Sequence, residues 1–330
     1  MVITGTRIEA CIDCMKPFGL VFDIDGVLIR GKKALPGAAW ALQTLERKGI
    51  PYALLTNGGG ILEAKKKESV CATLGIPDLK GHVILSHTPM KDLLVEEYRD
   101  KRCLILGCRE EISVAKSYGF QKIISPQQLA AQHPSAYENW GRILKAEPDP
   151  FQLEPIEAII IMHDPIDYHL ELQICVDVLR GRYPRVSRDT FKQPKIYNSN
   201  DDLEFSSHFP YPRLAQGVFL HCLELIHNKC PNALGPLEII RYGKPHSITF
   251  KYCERQLGQS PKRFYMIGDN PAADIRGANN AGEHWTSVLV KTGVFPSSEI
   301  NSVHDPADIV ANDVKRAIEI IFQLEGETID

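Results

Sequence analysis

Short apolar runs of strand length constrain this chain more than any other feature, because they alternate with longer amphipathic stretches. Five runs have the composition of buried parallel strands: GLVFDI, YALLT, VILS, FYMIGD and SVLVKTG. The stretches PGAAWALQTLERKG and ILEAKKKESVCATLG follow the first two runs and have the apolar spacing of helices. This strand–helix–strand winding predicts the α/β class, with a parallel sheet and right-handed crossovers.

A second, smaller α/β unit interrupts this pattern between the third and fourth runs. Its strands are predicted at RCLILG, EAIIIM and KIYNSN, and its helices at REEISVAKSYG and YHLELQICVDVLRG. A polar, Pro-rich segment from Ser125 to Pro155 lies inside this unit and predicts an insertion or a long loop. We therefore expect a core formed by residues 1–100 and 211–330, and an inserted α/β cap at residues 101–210.

Composition excludes several classes of protein. The 330 residues include 38 Lys and Arg against 41 Asp and Glu, so the net charge of −3 provides no general attraction to nucleic acid. No apolar run is long enough to span a bilayer. Nine dispersed cysteines are typical of reduced thiols, and the CxxC at Cys11 and Cys14 lacks a second pair at zinc spacing. Residues 1–17 lack secretory or transit-peptide features, so we expect a cytoplasmic or, after processing, a mitochondrial protein.

Acidic residues end two of the predicted core strands. Asp23 and Asp25 follow the first strand, and Asp269 ends the fourth, with Asp274 five residues later. Because ligands of open α/β sheets bind beyond the carboxyl ends of the strands, we expect these residues to converge. Converging carboxylates need a cation, and their hard oxygens suit Mg²⁺. A carboxylate beside the metal can act as a nucleophile, and a second one outside the metal shell can carry a proton.

The loops after the other strands favour phosphate binding. Thr56 and Asn57 end the second strand, and Gly58–Gly60 precede a helix, where backbone N–H groups approach an anion. Lys244, in GKP, is a compact positive charge for a phosphoryl oxygen. Asn270 is a natural N-cap before Pro271. A P-loop is disfavoured because GxxxxGK[ST] is absent.

Other polar stretches have two interpretations from sequence. His163 and Asp164 follow a cap strand and fit either a substrate contact or a turn, and the same holds for Asn198–Asp202. The run Lys65–Lys67 is typical of a solvated helix face. Ser86–Pro89 predicts the start of a helix after the third strand.

These motifs, in this order, resemble those of the haloacid dehalogenase-like (HAD) hydrolase superfamily. FDIDGVL resembles its first motif, LLTNGG the second, GKP the lysine motif and IGDNPAADIRGANNAG the fourth. The resemblance implies a Rossmann-like core carrying an α/β cap of the C2 type, as in subclass IIA with its nagD-like and 4-nitrophenylphosphatase-like members. DIDGVLIRGKK, LLTNGGG, SHTP, DNPAADI and VKTGV are similar to the cat-eye syndrome critical region subfamily, whose members often occur in mitochondria.

The resemblance also implies residue roles. Asp23 would attack phosphorus to form an aspartyl-phosphate, and Asp25 would protonate the leaving group and then activate water. The implied Mg²⁺ ligands are Asp23, the backbone carbonyl of Asp25, and Asp269. The implied phosphate-binding residues are Thr56, Asn57, Gly58 and Lys244, and the implied supporting residues are Asn270 and Asp274.

We therefore predict a Mg²⁺-dependent phosphatase that acts on a small phosphorylated metabolite, with a link to glycerophospholipid metabolism as a further hypothesis. One alternative is a phosphotransferase that uses the same aspartyl-phosphate with an acceptor other than water. The other is a non-catalytic binding or regulatory protein, which the presence of both Asp23 and Asp25 disfavours. The cap stretch MHDPIDYH departs from the glycine-bearing pattern of the branch, so the substrate stays open. A homodimer formed through the cap is a further expectation.

Overall fold

The computed structural model describes residues 16–137, 150–183, 190–205, 209, 211, 213–229, 235–258, 261–295 and 304–329. Cys11 and Cys14 lie outside these residues. The strands are β1 (Phe18–Phe22), β2 (Ile29–Arg30), β3 (Lys33–Ala34), β4 (Tyr52–Thr56), β5 (His82–Leu85), β6 (Arg102–Leu106), β7 (Lys122–Ile124), β8 (Ala158–Ile161), β9 (Lys195–Asn198), β10 (Glu204–Phe205), β11 (Arg213–Leu214), β12 (Ile239–Arg241), β13 (Arg263–Gly268), β14 (Trp285–Val290) and β15 (Ile309–Ala311).

The helices flank two parallel sheets. They are α1 (Ala38–Lys48), α2 (Glu63–Leu74), α3 (Lys91–Leu93), α4 (Glu111–Tyr118), α5 (Pro126–Gln132), α6 (Tyr168–Val178), α7 (Gly217–Lys229), α8 (Ser247–Leu257), α9 (Arg276–Ala281) and α10 (Val314–Glu325). Short 3₁₀ turns lie at Thr88–Met90 and Pro134–Ala136, and π-helical turns at Leu94–Tyr98 and Pro271–Ile275. Within the described chain, no helix combines the length and apolarity needed to cross a membrane.

The larger sheet has six parallel strands in the order β15–β14–β13–β1–β4–β5. All five predicted core strands are present in it, which confirms the α/β class. The central strand β1 lies between β13 and β4, with Leu20 opposite Tyr265 and Tyr52. Every residue of β1 and β4 is buried, as their uninterrupted apolar runs predict.

Alternating side chains of β1 fill the two layers of this core. Leu20 and Phe22 pack with the apolar faces of α1 and α10, which include Leu42 and Ile318. Val21 faces the other layer, where Phe250 of α8 lies. Because helices cover both faces, the open edge at the carboxyl ends of the strands is where a ligand can reach the sheet.

The smaller sheet is the inserted cap, with parallel strands in the order β12–β9–β8–β6–β7. We expected the insertion to end at residue 210, but the sheet continues to Arg241, because β12 pairs with β9. Helix α7 also belongs to this unit, since its Phe219 packs with Ile174 of α6. We therefore place the return of the chain to the core between β12 and α8.

The segment from Ser125 to Pro155 differs in part from the expected loop. Its first residues form α5, which begins with a capping box: Ser125 Oγ accepts from the Gln128 backbone N–H at 3.2 Å. Leu129 of this helix is buried in the cap core. The loop interpretation is therefore wrong for Pro126–Gln132, while residues 138–149 lie outside the described chain.

Candidate active site

A cleft of about 340 Å³ lies where the carboxyl ends of β1, β4 and β13 face the cap. Its core wall includes every residue that the sequence assigned to catalysis, phosphate binding or metal binding. These residues are Asp23, Asp25, Thr56, Asn57, Gly58, Lys244, Asp269, Asn270 and Asp274. The parallel topology thus brings together side chains from two distant parts of the chain.

Asp23 is fixed at the floor of this cleft by the end of β1. Its backbone N–H donates to the Ile267 carbonyl at 2.9 Å, which extends the pairing of β1 with β13. Its side chain is 9% exposed, and Oδ1 accepts from Lys244 Nζ at 2.6 Å. Burial raises the pKa of Asp23 well above its ordinary value, and the charge of Lys244 opposes this effect.

Lys244 connects the two acidic parts of the site. Its Nζ lies 2.6 Å from Asp23 Oδ1 and 2.7 Å from Asp274 Oδ1, and donates to the Leu55 carbonyl at 3.0 Å. Burial disfavours the ammonium, but the charges of Asp23 and Asp274 outweigh burial and raise the pKa of Lys244. The side chain is therefore a fixed positive charge beside Asp23.

Asn57 holds the backbone of Lys244. Its Oδ1 accepts from the Lys244 N–H at 2.7 Å, and its Nδ2 donates to the Lys244 carbonyl and to Asp202 Oδ2, both at 2.9 Å. The neighbouring Gly243 has φ of +79°, and a Cβ there would lie 2.5 Å from the Ser199 carbonyl oxygen. The phosphate contact expected of Asn57 stays a prediction, and these bonds add a positioning role for its amide.

The glycine loop after β4 passes between the core and the cap. Thr56 is buried, and its Oγ1 accepts from the Gly58 N–H at 3.0 Å. A Cβ on Gly59 would lie 2.9 Å from the Met162 carbonyl oxygen of the cap, so only glycine fits there. The Gly60 carbonyl accepts from the Glu110 N–H at 2.8 Å, which joins this loop to the cap.

Asp269 and Asp274 complete a buried acidic cluster with Asp23. One carboxylate oxygen of each residue lies within 4.8 Å of the others. Asp274 Oδ2 accepts from the N–H groups of Asp269 at 3.1 Å and Asn270 at 3.0 Å, and Asn270 caps the following turn as predicted. Burial and the charge of Asp274 raise the pKa of Asp269 to about 7.

This cluster fits a small, hard cation. Lys244 already contacts Asp23 and Asp274, and Asp269 makes no ion pair with any residue of the described ranges. The backbone encloses Asp269 closely, because a Cβ on Gly293 would lie 1.8 Å from its Oδ2 and one on Gly26 would lie 2.4 Å from it. Buried carboxylates with an uncompensated charge and oxygen-only donors are typical of a Mg²⁺ site.

Asp25 takes a different position from Asp23, although both line the cleft. Its side chain is 56% exposed, and Oδ2 lies 3.7 Å from Lys66 Nζ on α2. Strand β1 ends at Phe22 and a turn begins beyond it, so Asp25 does not continue the extended chain that carries Asp23. Lys66 is 21% exposed and lines the cleft, so a solvated face is the wrong interpretation for this lysine.

The cap wall of the cleft includes residues whose role the sequence left undecided, and one residue that the sequence did not mark at all. His163 and Asp164 line the cleft, and His163 Nδ1 lies 3.2 Å from Cys108 Sγ and 3.4 Å from Asp164 Oδ2. Burial lowers the pKa of His163 to about 4, assisted by the charge of Arg109, so the ring is neutral. Arg109 itself lines the cleft and had no motif to mark it. Asn200 and Asp202 also face the cleft, whereas Thr88 starts a 3₁₀ turn outside it.

Comparison with known proteins gives the same family as the motifs. A haloacid dehalogenase-like hydrolase model matches residues 20–121, and a HAD-hydrolase-like model matches residues 241–317. Mitochondrial hydrolase YKR070W of Saccharomyces cerevisiae is 31% identical, over 92% of this chain and 95% of its own. The chain belongs to the haloacid dehalogenase-like hydrolase family. In this hydrolase the first matched segment runs from the core into the cap as far as α4, and the second begins at the last residue of β12.

Other relatives of this HAD hydrolase extend the comparison. The cardiolipin synthase (CMP-forming)/mitochondrial hydrolase fusion protein of Schizosaccharomyces pombe is 35% identical over 82% of the chain, which spans about half (48%) of that protein. Human glycerol-3-phosphate phosphatase is 23% identical over 86% of the chain and 81% of its own length. The solved 4-nitrophenylphosphatase of Thermotoga maritima superposes with a TM-score of 0.68 at 18% identity, covering 92% of this chain and 97% of that one. The predicted family and capped fold are thus confirmed.

Proposed function

We propose that this HAD hydrolase is a Mg²⁺-dependent phosphatase that hydrolyses a small phosphomonoester through an aspartyl-phosphate. One observation carries the proposal: Lys244 Nζ joins Asp23 and Asp274 at 2.6 and 2.7 Å, beside Asp269, at the floor of an open cleft. We therefore assign Asp23 as the nucleophile, Lys244 as the fixed cation beside it and Asp269 as a metal-binding acid. The phosphatase names of its relatives support the same reaction class.

In the first step, Asp23 attacks phosphorus. Lys244 holds Oδ1, which leaves Oδ2 to form the new P–O bond while the bond to the leaving alcohol breaks. Asp25 donates a proton to the leaving oxygen from its exposed position in the cleft. Mg²⁺, held by Asp23, Asp269 and the Asp25 carbonyl, would neutralise charge on the phosphoryl group.

In the second step, water replaces the aspartate on phosphorus. Asp25 accepts a proton from the attacking water, and the bond between phosphorus and Asp23 breaks to release phosphate and the free carboxylate. Lys244 stabilises that carboxylate as it reforms, because its ammonium stays in contact with Asp23. We assign the phosphoryl oxygens to Thr56, Asn57 and Gly58, which line the cleft; the Thr56 hydroxyl accepts from the Gly58 N–H and keeps its own proton to donate.

The names of the relatives support a narrower hypothesis about the pathway. A cardiolipin synthase fusion and a glycerol-3-phosphate phosphatase both concern glycerophospholipid metabolism, and two relatives are called mitochondrial hydrolases. We therefore extend a glycerophospholipid link to this chain, and favour the mitochondrion over the cytoplasm as its compartment. A homodimer formed through the cap stays a prediction.

Turnover with Mg²⁺ tests the proposed function. We expect the purified protein to release inorganic phosphate from 4-nitrophenyl phosphate and from at least one member of a phosphometabolite panel, and EDTA to stop the reaction. Added glycerol or ethanol separates the alternatives, since phosphorylated alcohols would identify a phosphotransferase. Absence of turnover across the panel with Mg²⁺ would contradict the proposal and favour a binding protein.

The effect of Mg²⁺ on stability should depend on pH. Burial and Asp274 raise the pKa of Asp269 to about 7, so folding of the metal-free protein favours the protonated form. That contribution to stability is present below the unfolded pKa and is lost as pH rises through about 7. Mg²⁺ must displace this proton, so its affinity should fall about tenfold per pH unit below 7.

Thermal unfolding with and without Mg²⁺ measures this dependence. We expect the gain in Tm to be several-fold larger at about pH 8 than at about pH 6, and Asp269→Asn to remove most of it. Asp313→Asn is the matched control, because Asp313 caps α10 away from the cleft. An equal gain at both pH values would contradict the assignment of Asp269 as a metal ligand.

A further inference from the structure

Arg109 is a cation at the cap side of the cleft, and no described residue forms an ion pair with it. It follows β6, is exposed and lines the cleft. Its backbone N–H donates to Glu111 Oε2 at 2.9 Å, but its guanidinium forms no ion pair with the residues that the structure describes. An arginine held at a cleft wall without a carboxylate partner is available to a bound anion.

Lys66 provides a second cation from the core side of the same cleft. Its Nζ lies 3.7 Å from Oδ2 of Asp25, the residue that we propose protonates the leaving group. In the proposed mechanism Asp25 reaches the leaving oxygen, so this ammonium would be within reach of the leaving group of a bound ester. It is only 21% exposed, so water screens it less than a surface lysine.

A salt bridge between core and cap joins the sequence neighbours of these two cations. Lys65, the neighbour of Lys66, pairs with Glu110, the neighbour of Arg109, at 2.7 Å. The Glu110 N–H also donates to the Gly60 carbonyl at 2.8 Å. Lys66 follows Lys65 in the chain and Arg109 precedes Glu110, so both cations lie close to this salt bridge.

The other titratable groups that line the cap side of the cleft are His163, Asp164, Asp202 and Glu204, and Asp202 accepts a hydrogen bond from Asn57. His163 is neutral, because burial and Arg109 lower its pKa to about 4. Burial raises the pKa of Asp164, and the charge of Arg109 partly offsets that effect. Glu204 is exposed on β10, where water screens its charge.

We propose that Arg109 and Lys66 form an anion subsite for the leaving group, so that the preferred substrate is a phosphomonoester whose alcohol carries a second anionic group. A carboxylate and a second phosphate both have this chemistry. The inference rests on the proposed phosphatase function and narrows its substrate class.

Matched ester pairs test the subsite. 3-Phosphoglycerate and glycerol 3-phosphate share a three-carbon skeleton and differ in a carboxylate, and propane-1,3-diol bisphosphate and monophosphate differ in a second phosphate. We expect kcat/KM to be about tenfold higher for the more anionic member of at least one pair, and that pair identifies the anion. Equal values within both pairs would overturn the subsite while leaving the phosphatase activity established.

Substitution of Arg109 tests whether this residue causes the preference for the more anionic ester. Arg109→Gln should lower the ratio of kcat/KM within the preferred pair by about tenfold, mainly through KM of the anionic ester. Lys67→Gln should leave that ratio unchanged, because Lys67 is on the same helix as Lys66 but pairs with Asp78 outside the cleft. A ratio that persists in Arg109→Gln overturns the inference, and failure of every ester overturns the proposed function with it.

Discussion

Replacing Asp23 with asparagine should lower kcat by about four orders of magnitude and leave the fold intact. The amide has the shape of the carboxylate but is a poor nucleophile, so the bond from Asp23 to phosphorus cannot form. The hydrogen bond from the backbone of Asp23 to Ile267 does not depend on the side chain. Single-turnover reactions with 4-nitrophenyl phosphate, followed by acid quenching and intact-mass measurement, would detect the phosphoenzyme in the parent protein and its absence in the variant.

Asp78→Asn is the control for this experiment. Asp78 is an exposed carboxylate that pairs with Lys67 outside the cleft, so we expect its kcat to stay within about twofold of the parent value. Near-normal turnover by Asp23→Asn, or a phosphate adduct on another residue, would show that Asp23 is not the nucleophile.

Replacing Lys244 with methionine should affect both stability and catalysis. The ammonium is buried between Asp23 and Asp274, and its loss leaves two buried carboxylates without a counter-charge. Removing one partner of such a group costs about 3–5 kcal/mol in the free energy of unfolding. Because the same charge stabilises the phosphoryl group and the departing carboxylate, kcat should also fall about 10²–10³-fold. Urea unfolding and steady-state kinetics measure the two effects.

A second substitution separates charge from packing. Asp274→Asn in the Lys244→Met background removes one of the uncompensated acids, so part of the lost stability should return. Lys251→Met is the control, since Lys251 is exposed on α8 and outside the cleft. A stability loss for Lys244→Met no larger than that of Lys251→Met would mean that Lys244 does not balance these carboxylates.

Sequence patterns predicted the elements whose side chains are buried on both faces. The apolar runs of β1, β4 and β13 are continuous because helices cover both sides of the sheet. By contrast, β12 and β15 have three residues each and lie at sheet edges, with partly exposed side chains. Such strands have no distinctive pattern, so the cap boundary and the sixth core strand were missed.

The candidate site shows a similar division. Motif residues at strand ends were predictable because the topology fixes where each strand ends. The positioning role of Asn57 was not predictable, because its partner Lys244 is distant in sequence and only tertiary folding brings the two residues together. Lys66 stands in a run of three lysines, and nothing in the sequence distinguishes it from the other two. Lys65 and Lys67 make ion pairs outside the cleft. Arg109 follows a strand, and no motif beside it in the sequence marks it as a functional residue. Long-range contacts of this kind leave no local pattern in one sequence.

The order of strands in the core sheet divides the catalytic residues along a single seam. Strands β1, β4 and β5 precede the cap in the chain, and β13, β14 and β15 follow it, so the two halves meet where β1 pairs with β13. The nucleophile Asp23 is on one side of that seam, and Lys244 and Asp269 come from the other. Separation of the halves would end catalysis while the cap sheet, built from the continuous segment 102–241, keeps its own pairing. Even so, the cap stays coupled to the phosphoryl chemistry, because Asp202 of the cap accepts from Asn57, the residue that holds the backbone of Lys244.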